Sequence, residues 1–277
     1  MNEGPLSPSE TRDILRRLGH LPRHSLGQNY LVDGNIVRKS IELGEVRQGD
    51  VVVEIGPGLG TLTRTLLSAG ATVHAIETDP SMAAHLREFL HERLGRTFFL
   101  AEGDAVENPL AGLQDPVDGA FKVVANLPYA ISTPWMDALC RGPHPSLMVL
   151  MLQREAAERL TAEVGGAHWS AATAQVSLAF ERLRMHPVPA QSFNPPPRVD
   201  SCLLVLRRRE DARRLSPRAR EVARAFFTLR RKQLGSAAKM LFPDSPDVAA
   251  WLAGLSAHGL SPSARPQEVP AEAWLSL

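Results

Sequence analysis

The chain has 277 residues, 44% hydrophobic and 22% charged, enough apolar material for a large core and most simply divided into one large and one small domain. Its longest apolar run, Leu147 to Leu152, is far too short to cross a bilayer, and its first residues carry no apolar stretch of the secretory kind. Cys140 and Cys202 lack metal-ligand spacing and fit two buried, inert thiols in a reducing cytoplasm, while a net charge of +1 is at first sight an argument against a nucleic-acid partner.

In chain order, Ser7 to Gly19 predicts a short helix with apolar Ile14, Leu15 and Leu18. The segment Pro22 to Leu31 follows, with a basic start, a glycine, the adjacent amides Gln28 and Asn29, and Tyr30. Gln28 and Asn29 either reach a polar ligand from a loop or cap the helix expected over 35–43; taken alone, the cap is the simpler reading.

The stretch that organises the chain is Val51-Val-Val-Glu-Ile-Gly-Pro-Gly-Leu-Gly60. β-Branched residues lead into Glu54, and three glycines fall within five positions, which predicts a buried strand feeding a tight turn. A helix over 61–69 with a stop at Gly70 completes the first half of a nucleotide-binding unit, in which glycine lets a ligand approach the backbone. The spacing Gly56-x-Gly58-x-Gly60 is not that of a dinucleotide loop, and an acid precedes the turn. A dinucleotide loop offers a helix N-terminus to a pyrophosphate. An acid suits a cation instead, such as S-adenosylmethionine (SAM), which carries a sulfonium and an ammonium and no phosphate. The next strand, 72–76, ends at Glu77, about 20 residues on, where an acid holds ribose hydroxyls in such folds. A functionless glycine turn is the lesser alternative for the loop alone, and Glu77 weakens it further.

Asp79-Pro80 opens a helix whose apolar residues Met82, Leu86, Phe89, Leu90 and Leu94 read as core. A third strand, 97–101, leads to Gly103-Asp104-Ala105, on the sheet edge where open α/β sheets bind ligands. Asp104 there is either an acceptor for an adenine amino group or an ordinary turn aspartate. The fourth strand, 121–125, runs into Asn126-Leu-Pro-Tyr129. Asn126 offers an amide acceptor, Pro128 a stiff loop with a free carbonyl, and Tyr129 a stacking face; an Asn-x-Pro turn is the bland alternative. A fifth strand over 146–153, a helix over 154–161, a break at Gly165-Gly166, a helix over 171–183 and closing strands over 184–188 and 201–206 follow. The proline-rich linker between those strands is either a connector or a device placing Phe193 opposite Tyr129. Beyond Arg209 the pattern is helical: one helix over 216–240, a second over 247–257, and a capped terminal helix over 265–274. The domains expected are 1–209 and 210–277.

Charge is unevenly spread. From Arg198 to Lys232 there are twelve Lys or Arg against four Asp or Glu. Such a stripe suits phosphate contact, and a solvated helix face explains it equally well.

Leu26-Gly-Gln-Asn-Tyr-Leu31, Glu54-Ile-Gly-Pro-Gly58, Gly103-Asp-Ala105, Asn126-Leu-Pro-Tyr129, Phe193-x-Pro-Pro-Pro-x-Val-Asp-Ser201 and Arg230-Arg-Lys232 occur in this order. Together they resemble the SAM-dependent rRNA adenine N6,N6-dimethyltransferases, specifically those acting on bacterial 16S rRNA, over roughly residues 12–275. The resemblance implies an α/β chain with a Rossmann-like class I methyltransferase sheet and a small all-helical C-terminal domain that docks RNA. It implies two adjacent adenines near the 3′ end of 16S rRNA in the small ribosomal subunit as substrate, and a monomeric cytoplasmic protein needing neither metal nor membrane. Cofactor contacts are expected at Gln28, Asn29, Leu31, Glu54, Gly56, Gly58, Glu77, Asp104, Ala105 and Asn126. The base pocket is expected from Asn126, Leu127, Pro128, Tyr129 and Phe193, and RNA contacts from Arg207, Arg208, Arg230, Arg231 and Lys232. Tyr30, where the family commonly has phenylalanine, Gly235-Ser236, where it usually has Asn-containing polar residues, and the low net charge depart from the pattern. The rival readings are a large-subunit rRNA adenine methyltransferase of the resistance type, a non-catalytic nucleic-acid-binding assembly or transcription factor on the same fold, and a nicotinamide dehydrogenase.

Overall fold

A computed structural model describes residues 4–19 and 29–277. Contacts divide the chain into two units, Met1–Ala157 with Arg182–Arg208, and Glu158–Glu181 with Arg209–Leu277.

The first unit opens with α1 (Pro8–Arg17), whose N-cap Ser7 and Glu10 form a reciprocal capping box. The next elements are β1 (Tyr30–Leu31), α2 (Gly34–Leu43), β2 (Val51–Ile55), α3 (Thr61–Ser68), β3 (Thr72–Glu77) and α4 (Pro80–Phe89). They are followed by β4 (Phe98–Glu102), β5 (Lys122–Asn126), α5 (Ser132–Leu139), β6 (Leu147–Gln153) and α6 (Arg154–Leu160). After α7 (Ala171–Ala179) come β7 (Phe180–Val188), β8 (Phe193–Asn194) and β9 (Ser201–Arg208). Seven strands form one sheet in the order β4-β3-β2-β5-β6-β9-β7. β2 pairs parallel with β3 and with β5, and β6 antiparallel with β9. The central strands are apolar on both faces; β6, for example, is buried along Leu147 to Leu152, as parallel strands covered by helices must be. The chain leaves β2 toward β3 and β4, then returns to β5 on the other side. That reversal opens a crevice at the carboxyl ends of β2 and β5.

The second unit holds α7, α8 (Pro217–Thr228), α9 (Leu234–Leu241) and α10 (Pro246–Gly254), with terminal 3-10 turns at Pro266–Glu268 and Ala271–Ser276. Phe226, Trp251 and Trp274 meet in its core, with Trp251 stacked on Trp274 at 4.7 Å.

Six expectations change. The helix expected over 171–183 ends at Ala179, and β7 begins at Phe180. The faces of Ala171, Ala174 and Leu178 pack with the C-terminal helices, so this stretch belongs to the smaller unit, which a single boundary at Arg209 does not provide for. The helix expected over 216–240 is two helices, because the first amides of α9, Leu234 and Gly235, donate to the Ala264 and Pro262 carbonyls at 2.8 Å rather than to a preceding turn. The terminal helix expected over 265–274 is reduced to 3-10 turns by Pro266 and Pro270, which lack the amide a helix interior needs. Asp33, not Asn29, caps α2, accepting Asn35 N–H at 2.8 Å. Finally, Tyr30–Leu31 pairs with Phe193–Asn194 as a two-stranded ribbon, an element with no sequence signal.

Gly60, at φ +82°, precedes α3, and a Cβ there would lie 2.8 Å from Leu86 Cδ2. Gly60→Ala is expected to destabilise the fold by about 1–3 kcal/mol, since Leu86 is fully buried and overpacking adds to the left-handed strain. Urea denaturation of the purified variant measures it.

Candidate active site at the strand ends

A cavity of about 560 Å³ lies at the carboxyl ends of β2, β3, β4 and β5, a volume within the range of small-molecule pockets. Asn29, Tyr30, Leu31, Glu54, Gly56, Gly58, Glu77, Asp104, Ala105, Asn126, Leu127 and Pro128 line it. Every one of them except Tyr30 is a residue expected in the site, and they come from five separate stretches of chain. Gln28 lies outside the described residues.

Glu77, at the end of β3, anchors the glycine turn. Its Oε2 accepts Gly58 N–H at 3.0 Å, and its Oε1 accepts Thr78 and Asp79 N–H at 2.9 and 3.0 Å. Burial to 7% exposure raises its pKa despite these amides. The turn needs its glycines: Gly56 and Gly58 sit at φ +65° and +57°, where other residues are strained. A Cβ on Gly56 would touch Pro128 Cδ at 3.5 Å, and one on Gly58 would touch Tyr30 Cε1 at 3.5 Å. Backbone, proline and tyrosine therefore converge around the turn.

Glu54 is 2% exposed, and its Oε2 has no hydrogen-bond partner among the described residues. Burial pushes its carboxyl up to about 8, against a smaller lowering by the Thr63 hydroxyl and with a further rise from the Glu77 charge. Two buried carboxyls, one of them an orphan acceptor, make the cavity a place where a cation gains and an anion does not.

Asp104 is exposed, and its Oδ1 accepts Val106 N–H at 2.7 Å. It lines the cavity and also makes the turn. At the end of β5, the side-chain N–H of Asn126 donates to Asn29 O at 3.4 Å. Leu127 is buried, and its N–H donates to Met151 O at 3.2 Å. The Pro128 carbonyl accepts Ile131 N–H at 3.1 Å, closing a 3-10 turn over Tyr129–Ile131, and one lone pair of that oxygen remains.

Phe193 departs from expectation. It is 2% exposed, pairs across the ribbon with Leu31, and belongs to the core that includes Ile36, Val37 and Val188. It does not line the cavity. A ring buried among aliphatic side chains presents no face to a base, so its place in this structure is that of core filler.

Residues not anticipated also line the cavity. Leu6 and Thr11 of the N-terminal segment do so, held there by Leu6 N–H donating to Thr61 Oγ1 at 2.8 Å and by packing of Leu6 and Leu15 on Leu59 and Met82. The run of apolar residues in α1 signalled an amphipathic helix, but not its destination.

The basic run is shared between the units. In the first, Arg207 pairs with Glu45 at 3.2 Å and Arg208 with Asp118 at 3.8 Å. In the second, Arg218 is held by Asp247 and Glu221, which keeps the Asp247 carboxyl below the usual range, and Arg230 donates to Ala167 O at 2.9 Å. Arg231 and Lys232 are exposed in the turn between α8 and α9 and, among the described residues, have no acidic partner. No group of three His, Cys, Asp or Glu gathers as metal ligands among the described residues, and no described helix is long and apolar enough to cross a membrane.

The strand order, the acid-flanked glycine turn and the acids at successive strand ends define a Rossmann-like methyltransferase. A family profile described as ribosomal RNA adenine dimethylase matches residues 19–274, and the chain belongs to that family. It is 52% identical over 273 residues to a ribosomal RNA small subunit methyltransferase A of Opitutus terrae, covering 99% of this chain and 98% of that one. It is 38% identical over 274 residues to a protein of the same name from Synechococcus sp., covering 94% and 96%. Among solved structures it resembles a dimethyladenosine transferase from Plasmodium falciparum (TM-score 0.70, 28% identity, 89% and 94% coverage). It also resembles the 23S rRNA methyltransferase ErmE (TM-score 0.60, 28% identity, 90% and 97% coverage). The enzyme is an rRNA adenine dimethyltransferase.

The buried carboxyls set a pH dependence. An unfolded glutamate ionises near 4.5, and Glu54 in the folded protein at about 8. Between those values the folded state binds more protons, so stability falls as pH rises through that window and levels off above it. Glu54→Gln removes this part of the slope, leaving the smaller contribution of Glu77 in the same sense. Melting temperatures at pH 5 and 8.5 are expected to converge in the variant and to differ in the parent.

Proposed function

We propose that this enzyme takes its methyl groups from SAM and places two on N6 of each of two adjacent adenosines near the 3′ end of 16S rRNA in the small ribosomal subunit. The observation that carries the cofactor reading is the orphan Glu54 carboxyl beside Glu77 in a cavity floored by the glycine turn, a fit for a cationic donor with a ribose. The 52% relative named for the small subunit supports the RNA assignment over the large-subunit reading, and Glu54, Glu77, Asp104 and Asn126 gathered at one cavity support an active enzyme over a non-catalytic factor.

In this proposal the glycine turn and Asn29, Leu31, Glu54 and Glu77 hold the methionine and ribose parts, and Asp104 and Ala105 the adenine. SAM bound there supplies an electrophilic methyl group. The adenine N6 is a weak nucleophile because its lone pair is delocalised into the ring. Asn126 Oδ1 and the remaining lone pair of the Pro128 carbonyl accept the two N6 hydrogens, which turns the nitrogen toward tetrahedral geometry and frees its lone pair. Positioning and fixed dipoles then do what a base would otherwise do, and the proton passes to water after transfer. Tyr129, whose side chain lies outside the described residues, is the proposed stacking partner of the adenine taken out of its stack. Arg231 and Lys232 contact RNA phosphates, joined by Arg207, Arg208 and Arg230 where their internal partners yield.

Isothermal titration is expected to give binding of SAM and none of NAD; the reverse result removes the cofactor reading. Asn126→Ala is expected to lower kcat by about a hundredfold, measured as tritiated-methyl transfer to unmethylated small subunits with nucleoside analysis, while the Kd for SAM changes far less. Replacing Arg231 and Lys232 together with alanine should weaken RNA binding and flatten the plot of log affinity against log salt by about 0.7–0.9 per lost contact. An unchanged slope would show that these side chains do not meet phosphates.

A further inference from the structure

Asn126 can accept an N6 hydrogen only if its side-chain oxygen, and not its amino group, faces the substrate. A carboxamide has two orientations differing by a half-turn, and its neighbours choose between them. Here the Asn126 amino group donates to the carbonyl of Asn29 at 3.4 Å, so the position of that one carbonyl sets which face of Asn126 is presented.

Asn29 leads directly into β1, and β1 is held from far along the chain. Tyr30 pairs with Asn194 and Leu31 with Phe193. The Ser192 carbonyl accepts Val32 N–H at 2.8 Å and Asp33 N–H at 3.3 Å. The Ser192 hydroxyl donates to Asp33 Oδ2 at 3.1 Å, while Asp33 Oδ1 caps α2 through Asn35 N–H at 2.8 Å. Ser192 is 1% exposed and, like Phe193, does not line the cavity. The carboxylate of Asp33 thus ties three things together: the start of α2, the turn before β8, and the strand that carries the Asn29 carbonyl.

We infer that Ser192 and Asp33 are positioning residues for methyl transfer, acting through β1 and the Asn29 carbonyl to hold the Asn126 amide with its oxygen toward the adenine amino group. This rests on the role proposed above for Asn126. It also gives Phe193 a function compatible with its burial: paired with Leu31 and buried in the same core, it keeps Leu31, and with it Asn29, in register. Without the Ser192 hydroxyl, Asp33 retains its cap but loses its hold on the turn. The ribbon then slackens, and the Asn126 amide samples the orientation that presents a donor where an acceptor is required.

The test is a double-mutant cycle on single-turnover methylation of unmethylated small subunits with saturating SAM. Ser192→Ala is expected to lower the rate on the order of tenfold, within the hundredfold that about an ångström of misplacement can produce, while the melting temperature stays near that of the parent. Asp33→Asn, which keeps an acceptor for Asn35 and a partner for the Ser192 hydroxyl, is expected to remain close to the parent rate. In an Asn126→Ala background, Ser192→Ala is expected to have little further effect, because the group it positions is gone. An unchanged rate in Ser192→Ala overturns the inference. So does a loss of equal size in both backgrounds, which would mean general loosening, and so does a loss accounted for by unfolding. If the parent methylates and Asn126→Ala keeps the parent rate, the role of Asn126 fails; if the parent does not methylate, the assigned reaction fails.

Discussion

The cavity at the strand ends depends on one buried carboxylate. Glu77 accepts the backbone N–H groups of Gly58, Thr78 and Asp79, and so joins the glycine turn after β2 to the end of β3. A carboxylate away from water is unfavourable unless donors surround it, and the Gly58 amide finds its acceptor in that carboxylate, while those of Gly56 and Gly60 donate to the Ile76 and Pro57 carbonyls. Each relieves the other. The cavity floor is shaped by that exchange, and Glu54 lies beside it: burial above all, with a smaller push from the Glu77 charge, drives Glu54 toward its neutral form.

A site built this way suits a cationic cofactor and a neutral nucleophile. The pair of carboxyls favours positive charge, and the walls that face the substrate offer dipoles rather than a titrating base. In the proposed reaction Asn126 and the Pro128 carbonyl serve as fixed acceptors: the Asn126 amino group donates to the Asn29 carbonyl, and the Pro128 carbonyl already closes a 3-10 turn. Rate in such a site comes from geometry held before the reaction begins. That places weight on the ribbon of β1 and β8, which carries no chemistry of its own.

The basic run illustrates the difference between a charge count and a charge that is available. Of the arginines between Arg198 and Lys232, several are occupied within the protein: Arg207 with Glu45, Arg209 with Asp211, Arg218 with Asp247 and Glu221. Exposed pairs of this kind add little stability, but they neutralise the field a phosphate would meet. Arg231 and Lys232 stand apart because the chain breaks its helix there and lifts them into a turn.

Much of the fold was legible in the sequence because its signals are local. A run such as Val51 to Ile55 followed by glycines can be little other than a buried strand and a tight turn, and acids at the ends of successive strands reach one sheet edge once the strands are parallel. That residues 54, 56, 58, 77, 104 and 126 share one cavity was therefore visible in advance. What the tertiary structure decided involves partners far apart in the chain. The break at residues 229–233 follows from carbonyls at 262 and 264 that capture the first amides of α9. The burial of Phe193 and the ribbon of Tyr30–Leu31 with Phe193–Asn194 join segments more than 150 residues apart through two residue pairs, too few to leave a periodicity. The seat of α1 against the cavity depends on Leu6 finding Thr61. Periodicity tells a chain which face to bury, and only the assembled structure determines what that face is buried against.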